Sequence, residues 1–182
     1  MRGDLLAEVK IVTLCVGAAV LYGILHDLVT AHVCVEYFSV GHPRVIASDH
    51  PILLALVWGV LGTWYVGAVL AIPLVCGARL GAAPPWAWRR LVRPLAVLLV
   101  VMACAALVAG ISGHGLALRF GWPLPGGLSD DIPRERHARF IANLCAHGAS
   151  YGVGFVGGLV LPVVVWLQRA KEHRLATAKA SP

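Results

Sequence analysis

Four side chains that can move protons or hold metal ions fall inside one apolar stretch, residues 11–38: His26, Asp27, His32 and Glu36. An ionisable group set in hydrocarbon costs about 2.5–3.5 kcal/mol on insertion scales. Such groups persist by facing another helix, a partner or water. At about 100° per residue, His26, His32 and Glu36 share roughly a third of one helix surface, and Asp27, Thr30 and Cys34 form the adjoining strip. The last apolar stretch repeats the spacing with His137, Asn143 and His147. Residues 31–36 read Ala-His-Val-Cys-Val-Glu against Ala-Asn-Leu-Cys-Ala-His over 142–147.

Imidazoles and carboxylates on facing helices suit three kinds of chemistry. They can ligate a metal ion in a bundle core. Two histidines at one depth can serve as axial ligands of haem iron. Strung along a pore, Asp, Glu and His relay protons. A plainer reading stands beside these, in which each group is an interhelical hydrogen bond worth about 0.6 kcal/mol. His42, next to Pro43, reads as turn chemistry. His50 and His173 read as loop and tail residues.

The elements that must position these groups are legible in the composition. Of 182 residues, 59% are hydrophobic and 13% are charged, far from the roughly 25% charged residues of soluble domains. Four apolar blocks predict helices at about 9–38, 52–76, 91–118 and 138–167, each with the ~20 residues a membrane span requires. A barrel strand needs only about 10 alternating residues, so the predicted fold is all-α, an integral membrane four-helix bundle. A basic tail, 168–182, follows, and the whole chain reads as one transmembrane domain. The mixed charges of the first ten residues make a poor signal peptide, so the first block is read as an uncleaved helix.

With four spans, the first and last helices run antiparallel. If Glu36 and His137 share one boundary, ten residues inward (about 15 Å) brings His26 and His147 level. Two polar rungs result: a shallow one with Glu36, His137 and His114, and a deep one with His26, Asp27 and His147. Tyr22 and Tyr151 also fall level.

The net charge of +6 is sorted by loop and does not suggest nucleic acid. Ten Lys and Arg residues belong to one side of a four-span topology and five to the other. The positive-inside rule then places both termini in the cytoplasm. The 84–90 segment, Pro-Pro-Trp-Ala-Trp-Arg-Arg, reads as an anchor at headgroup depth. The five cysteines form no C-x-x-C pair and lie in or at the ends of apolar blocks, so no disulfide framework is expected. Neither G-x-S-x-G nor H-E-x-x-H occurs. His32 and Glu36, one turn apart, match only half of a carboxylate-bridged di-metal motif.

The run His26-Asp27-Leu28-Val29-Thr30, followed by Glu36-Tyr37-Phe38, resembles an uncharacterised bacterial family of small polytopic membrane proteins whose pattern reads H-D-Q-I-T, five residues, E-Y-F. His147-Gly148-Ala149-Ser150-Tyr151, followed by Gly152 and Gly154, is similar to the family's H-N-x-S-Y-x-G-G stretch. The Trp- and Gly-rich second block ending in Arg79 is similar too. Leu28 and Gly148 depart from the pattern by removing amide groups, and His32, Cys34, Asn143 and Cys145 lie outside it. The resemblance implies a bacterial inner-membrane protein and brings no reaction with it.

Together, these readings predict a polar intramembrane site between the first and last helices made of His26, Asp27, Thr30, Glu36, Tyr37, His147, Ser150 and Tyr151. His26, Glu36, His147 and His137 are the expected metal ligands, with a metal ion or haem as the cofactor. The lipid bilayer is the expected partner, with homo-oligomerisation open. A non-catalytic scaffold or assembly component and an oligomeric transporter or channel subunit stand as alternatives.

Overall fold

The computed structural model describes residues 2–180. Helix α1 (Arg2–Val33) is followed by one turn, α2 (Glu36–Ser39). The second apolar block is two helices, α3 (Pro51–Leu61) and α4 (Trp64–Arg79). The third is α5 (Trp88–Phe120), and the last is α6 (His137–Ala180). Two short 3-10 turns lie between α5 and α6. No strand occurs among the described residues.

Four stretches are long and apolar enough to cross a membrane: Asp4–Val33, Pro51–Arg79, Trp88–Phe120 and Arg134–Lys179. Their outer faces are apolar. Leu21, Val69, Ile72, Val100 and Phe155 are all exposed. The buried set, in contrast, includes Asp27, Thr30, Asn143, His147, Ser150 and Arg169. Apolar outside and polar inside is the distribution that lipid contact selects, because hydrocarbon gives apolar groups no reason to hide.

The element boundaries differ from the sequence expectation for physical reasons. The first helix begins earlier than expected, at Arg2, because its polar first turns have partners: Arg79 Nη2 donates to Asp4 Oδ1 at 2.8 Å and lies 3.8 Å, through Nε, from Glu8 Oε1. It ends at Val33 rather than 38, and Asn143 of α6 packs its side-chain amide against that end. Asn143 Nδ2 donates to Thr30 O at 2.8 Å and to Cys34 O at 3.1 Å. Each of these carbonyls also accepts a backbone N–H, from Cys34 and Tyr37, and the buried amide fills the second lone pair of each. Between α3 and α4, Gly62 and Thr63 interrupt the helix, and Thr63 Oγ1 turns back to donate to Gly59 O at 2.5 Å. The same spot is the tightest crossing with α1. A Cβ on Gly59 would run into the backbone of Gly23 and Ile24, so only glycine permits this approach. Helix α6 continues through most of the expected tail, to Ala180.

Around the bundle, α1 packs on α3 and α4, α4 on α6, and α6 along α5. Helices α1 and α5 close the ring more loosely, and α1 faces α6 across the diagonal. Two apolar clusters hold the ends. One joins Phe38, Leu54, Ala55, Leu124 and Phe140. The other joins Ile11, Leu74, Trp86, Leu91 and Val165. Between them the bundle is hollow.

The second cluster is locked by Arg169, which is 1% exposed. Its guanidinium donates to four carbonyls: Gly77 O at 2.6 Å, Ala83 O at 2.7 Å, Leu80 O at 3.0 Å and Pro84 O at 3.1 Å. The planar fork of arginine has five donors, which is why it can gather a whole connector. Arg90 lies 4.0 Å over the Trp86 ring and pairs with Glu172 at 2.7 Å. These contacts bring the start of α1, the 80–87 connector and the distal part of α6 to one end of the bundle, called here the basic end. Arg169→Ala strands the four carbonyls, and a loss of about 2–4 kcal/mol is expected. Thermal unfolding in detergent should fall by several degrees. Arg169→Lys, with three donors, should recover only part.

Candidate functional site

The site is built where the hollow middle meets the cluster at the far end. Asp27, on α1, is 6% exposed, and His147, on α6, is 8% exposed. His147 Nε2 lies 3.2 Å from Asp27 Oδ1, and its Nδ1 lies 2.8 Å from Asn143 O. His26 completes the group. Its ring meets that of His147 edge to face at 4.5 Å between centroids. One ligand atom each from His26, Asp27 and His147 lie within 4.8 Å of one another. No other such group of three or more His, Cys, Asp or Glu residues occurs among the described residues.

The hydrogen bonds of His147 carry chemical information. A backbone carbonyl can only accept, so Nδ1 bears a proton. Nε2 then faces a carboxylate oxygen, which also accepts when ionised. The contact closes only with a second positive centre between the two atoms: a proton on the imidazole or on the carboxyl, or a cation. His26 Nε2 is buried and has no hydrogen-bond partner among the described residues. Buried polar atoms without partners are rare, and each calls for an explanation.

The surroundings are aromatic on one side and hydroxylic on the other. Tyr37 lies 4.6 Å from the His147 ring and Phe38 5.8 Å. Tyr22 stacks on His26 at 5.7 Å. The Tyr22 and Ser150 hydroxyls share a hydrogen bond of 2.6 Å. Thr30 Oγ1 donates back to His26 O at 3.1 Å, which spends its hydroxyl on its own helix. From this polar patch a cavity of 310 Å³ runs between α1, α4, α5 and α6, past Leu70, Leu98 and Met102, and is otherwise apolar.

Of the residues expected from the sequence, His26, Asp27 and His147 converge on one point, with Tyr37 against the His147 ring, Ser150 in the adjoining cavity and Thr30 bonded to its own helix. Tyr151 lines the cavity but is about half exposed. Glu36 stands apart. Its carboxylate meets Arg136 Nε at 3.5 Å and accepts from the Cys34 thiol at 3.3 Å. His137 also stands apart, with Nε2 2.9 Å from Ile132 O. The shallow rung is therefore an ion pair at Glu36 and a turn contact at His137. His32 is exposed and satisfied by Leu28 O at 2.6 Å, so the 26/32/36 and 137/143/147 spacings do not make equivalent contacts. Asn143, outside the motif pattern, bonds the end of α1 through its side-chain amide, while its backbone carbonyl, which any residue would supply, accepts from His147 Nδ1. Its only sequence signal was an amide in an apolar helix.

Comparison with family models, with curated proteins and with solved structures returns no match. Asn143→Leu removes two buried hydrogen bonds to carbonyls that each keep one backbone N–H, from Cys34 and Tyr37, and a loss of about 1–3 kcal/mol is expected. Detergent melting should show it, while Glu36→Gln should cost less because its pair is partly exposed.

Proposed function

We propose that this chain is a membrane protein that binds one divalent transition-metal ion, of the zinc or ferrous class, through His26, Asp27 and His147. The observation that carries the reading is the unpartnered His26 Nε2 beside a His147–Asp27 contact that requires a positive centre. Two imidazoles and one carboxylate are a common donor set for such ions, leaving further positions open. The bond from His147 to Asn143 O is the outer contact that holds a ligating imidazole in the right tautomer. Ligand atoms around one ion lie at most about 4.2 Å apart, so binding draws His26 slightly inward. The edge-to-face imidazoles leave no room for a porphyrin plane between them, which favours a bare ion over haem. His26, Asp27 and His147 all line the apolar cavity, so an ion held there would be within reach of a small apolar reactant in it.

Of the residues that carry the family resemblance, Glu36 stands apart on Arg136, while His26, Asp27, Thr30, Tyr37, His147, Ser150 and Tyr151 lie at or beside the site. This supports membership of that bacterial family. The Arg79–Asp4 and Arg90–Glu172 pairs draw the basic connectors to one end. That supports an inner-membrane topology with both termini cytoplasmic.

Metal-stripped protein in detergent, titrated with Co²⁺, should take up one ion per chain with a visible ligand-field band. Asp27→Asn and His147→Ala should each weaken uptake by about a hundredfold or more, while Glu36→Gln and His137→Ala leave it unchanged. Uptake should weaken as pH falls, because the ion displaces the proton between His147 and Asp27. Equal uptake by wild type and the Asp27 and His147 variants would overturn the reading.

The His147–Asp27 geometry also favours a second reading, a proton-holding pair without metal. That reading predicts no ion uptake and an imidazole ¹⁵N signal that changes in Asp27→Asn.

A further inference from the structure

A second hollow lies on the other side of His26. Helices α1 and α5 are the loosest neighbours in the bundle, and a groove of 620 Å³ opens between them, floored by α6. Its polarity is graded along the helix axes. At the end away from the basic connectors stand Arg139, His32 and His114. Further inward the walls are Val29, Ala106, Leu107 and Ala146. His32 is six residues from His26 on α1, about 9 Å along the axis, and His114 is eleven from Ala103 on α5, about 16 Å. No Asp or Glu lines the groove.

We infer that this groove binds one acyl chain bearing an anionic headgroup, taken from the surrounding bilayer, with the headgroup on Arg139 and the chain running inward towards His26. Three observations point to this occupant. The mouth carries a guanidinium and two imidazoles. Arg139 is exposed and makes no ion pair or hydrogen bond among the described residues. The walls are apolar at the depth where lipid tails lie. A neutral or zwitterionic occupant would leave the guanidinium without a counter-charge, whereas a carboxylate or phosphate matches its paired donors. An acyl chain also replaces the contacts that the loose α1–α5 seam lacks, since an empty apolar void forfeits dispersion energy on both walls. The inference does not depend on the metal reading. His26 walls both hollows, but the groove's recognition chemistry lies at Arg139.

The test uses the full chain in phosphatidylcholine nanodiscs with a palmitate carrying a mid-chain diazirine. Photolabelling should concentrate on Val29, Leu107 and Ile111. Unlabelled palmitate should compete, and hexadecanol should not. Arg139→Gln and Arg139→Glu should cut labelling about tenfold, while Arg139→Lys keeps most of it. Because Arg139 is exposed and unpaired, these variants should melt like wild type, and Co²⁺ uptake measured on the same samples should be unchanged. Failure of metal uptake with labelling intact would remove the metal site and leave the groove. Labelling spread evenly onto lipid-facing positions such as Val69 and Ile72 of α4 would overturn the inference. So would labelling unchanged in Arg139→Glu, or a crosslink joining two copies through the groove.

Discussion

The arrangement depends on one requirement: polar groups away from water must find each other. Asp27 and His147 come from helices that face one another across the bundle diagonal, yet their side chains meet at 3.2 Å. Neither could remain in an apolar interior alone. A lone carboxylate there is penalised by several kcal/mol, and a lone imidazole with both nitrogens facing acceptors is unsatisfied. Their contact sets the rotation of α1 and α6 about their axes. Asn143 reinforces that setting, because its side-chain amide donates to two carbonyls at the end of α1 while its backbone carbonyl accepts from His147 Nδ1.

The bundle is packed at its ends and open in its middle. Arg169 gathers the 77–84 carbonyls at one end, and the Phe38–Phe140 cluster fills the other. Between them, two hollows flank a single side chain, His26. Glycines allow α1 and α3 to touch at Gly23 and Gly59, while the α1–α5 seam has no comparable closure. Close approach on one side and a gap on the other follow from where side chains are absent and where they are merely small.

Much of this was legible in the residues. Four apolar blocks of spanning length gave the helix count, and the ten-residue offsets from Glu36 and His137 placed His26 level with His147. The grouping of His26, Asp27, His147 and Ser150 follows from antiparallel helices of equal pitch. Three features were not legible. Glu36 looked like a ligand because it is a carboxylate in an apolar run, but Arg136, from a distant connector, sits beside it. The end of α1 is tied to α6 by an amide 110 residues later in the chain, a contact that spacing does not reveal. The lateral groove depends on how loosely two helices pack, which periodicity does not encode.

What the sequence alone determined is the medium and the secondary structure. Hydropathy and length are local sums, and hydrogen-bonded helices are the economical way for a chain of this composition to satisfy its backbone in lipid. Which of the polar groups became partners was decided only by the tertiary structure. A hydrogen bond or metal contact is short-ranged and directional, so a shift of one turn would have paired Asp27 with something else. Helix rotation, connector placement and the close Gly23–Gly59 crossing together removed that freedom.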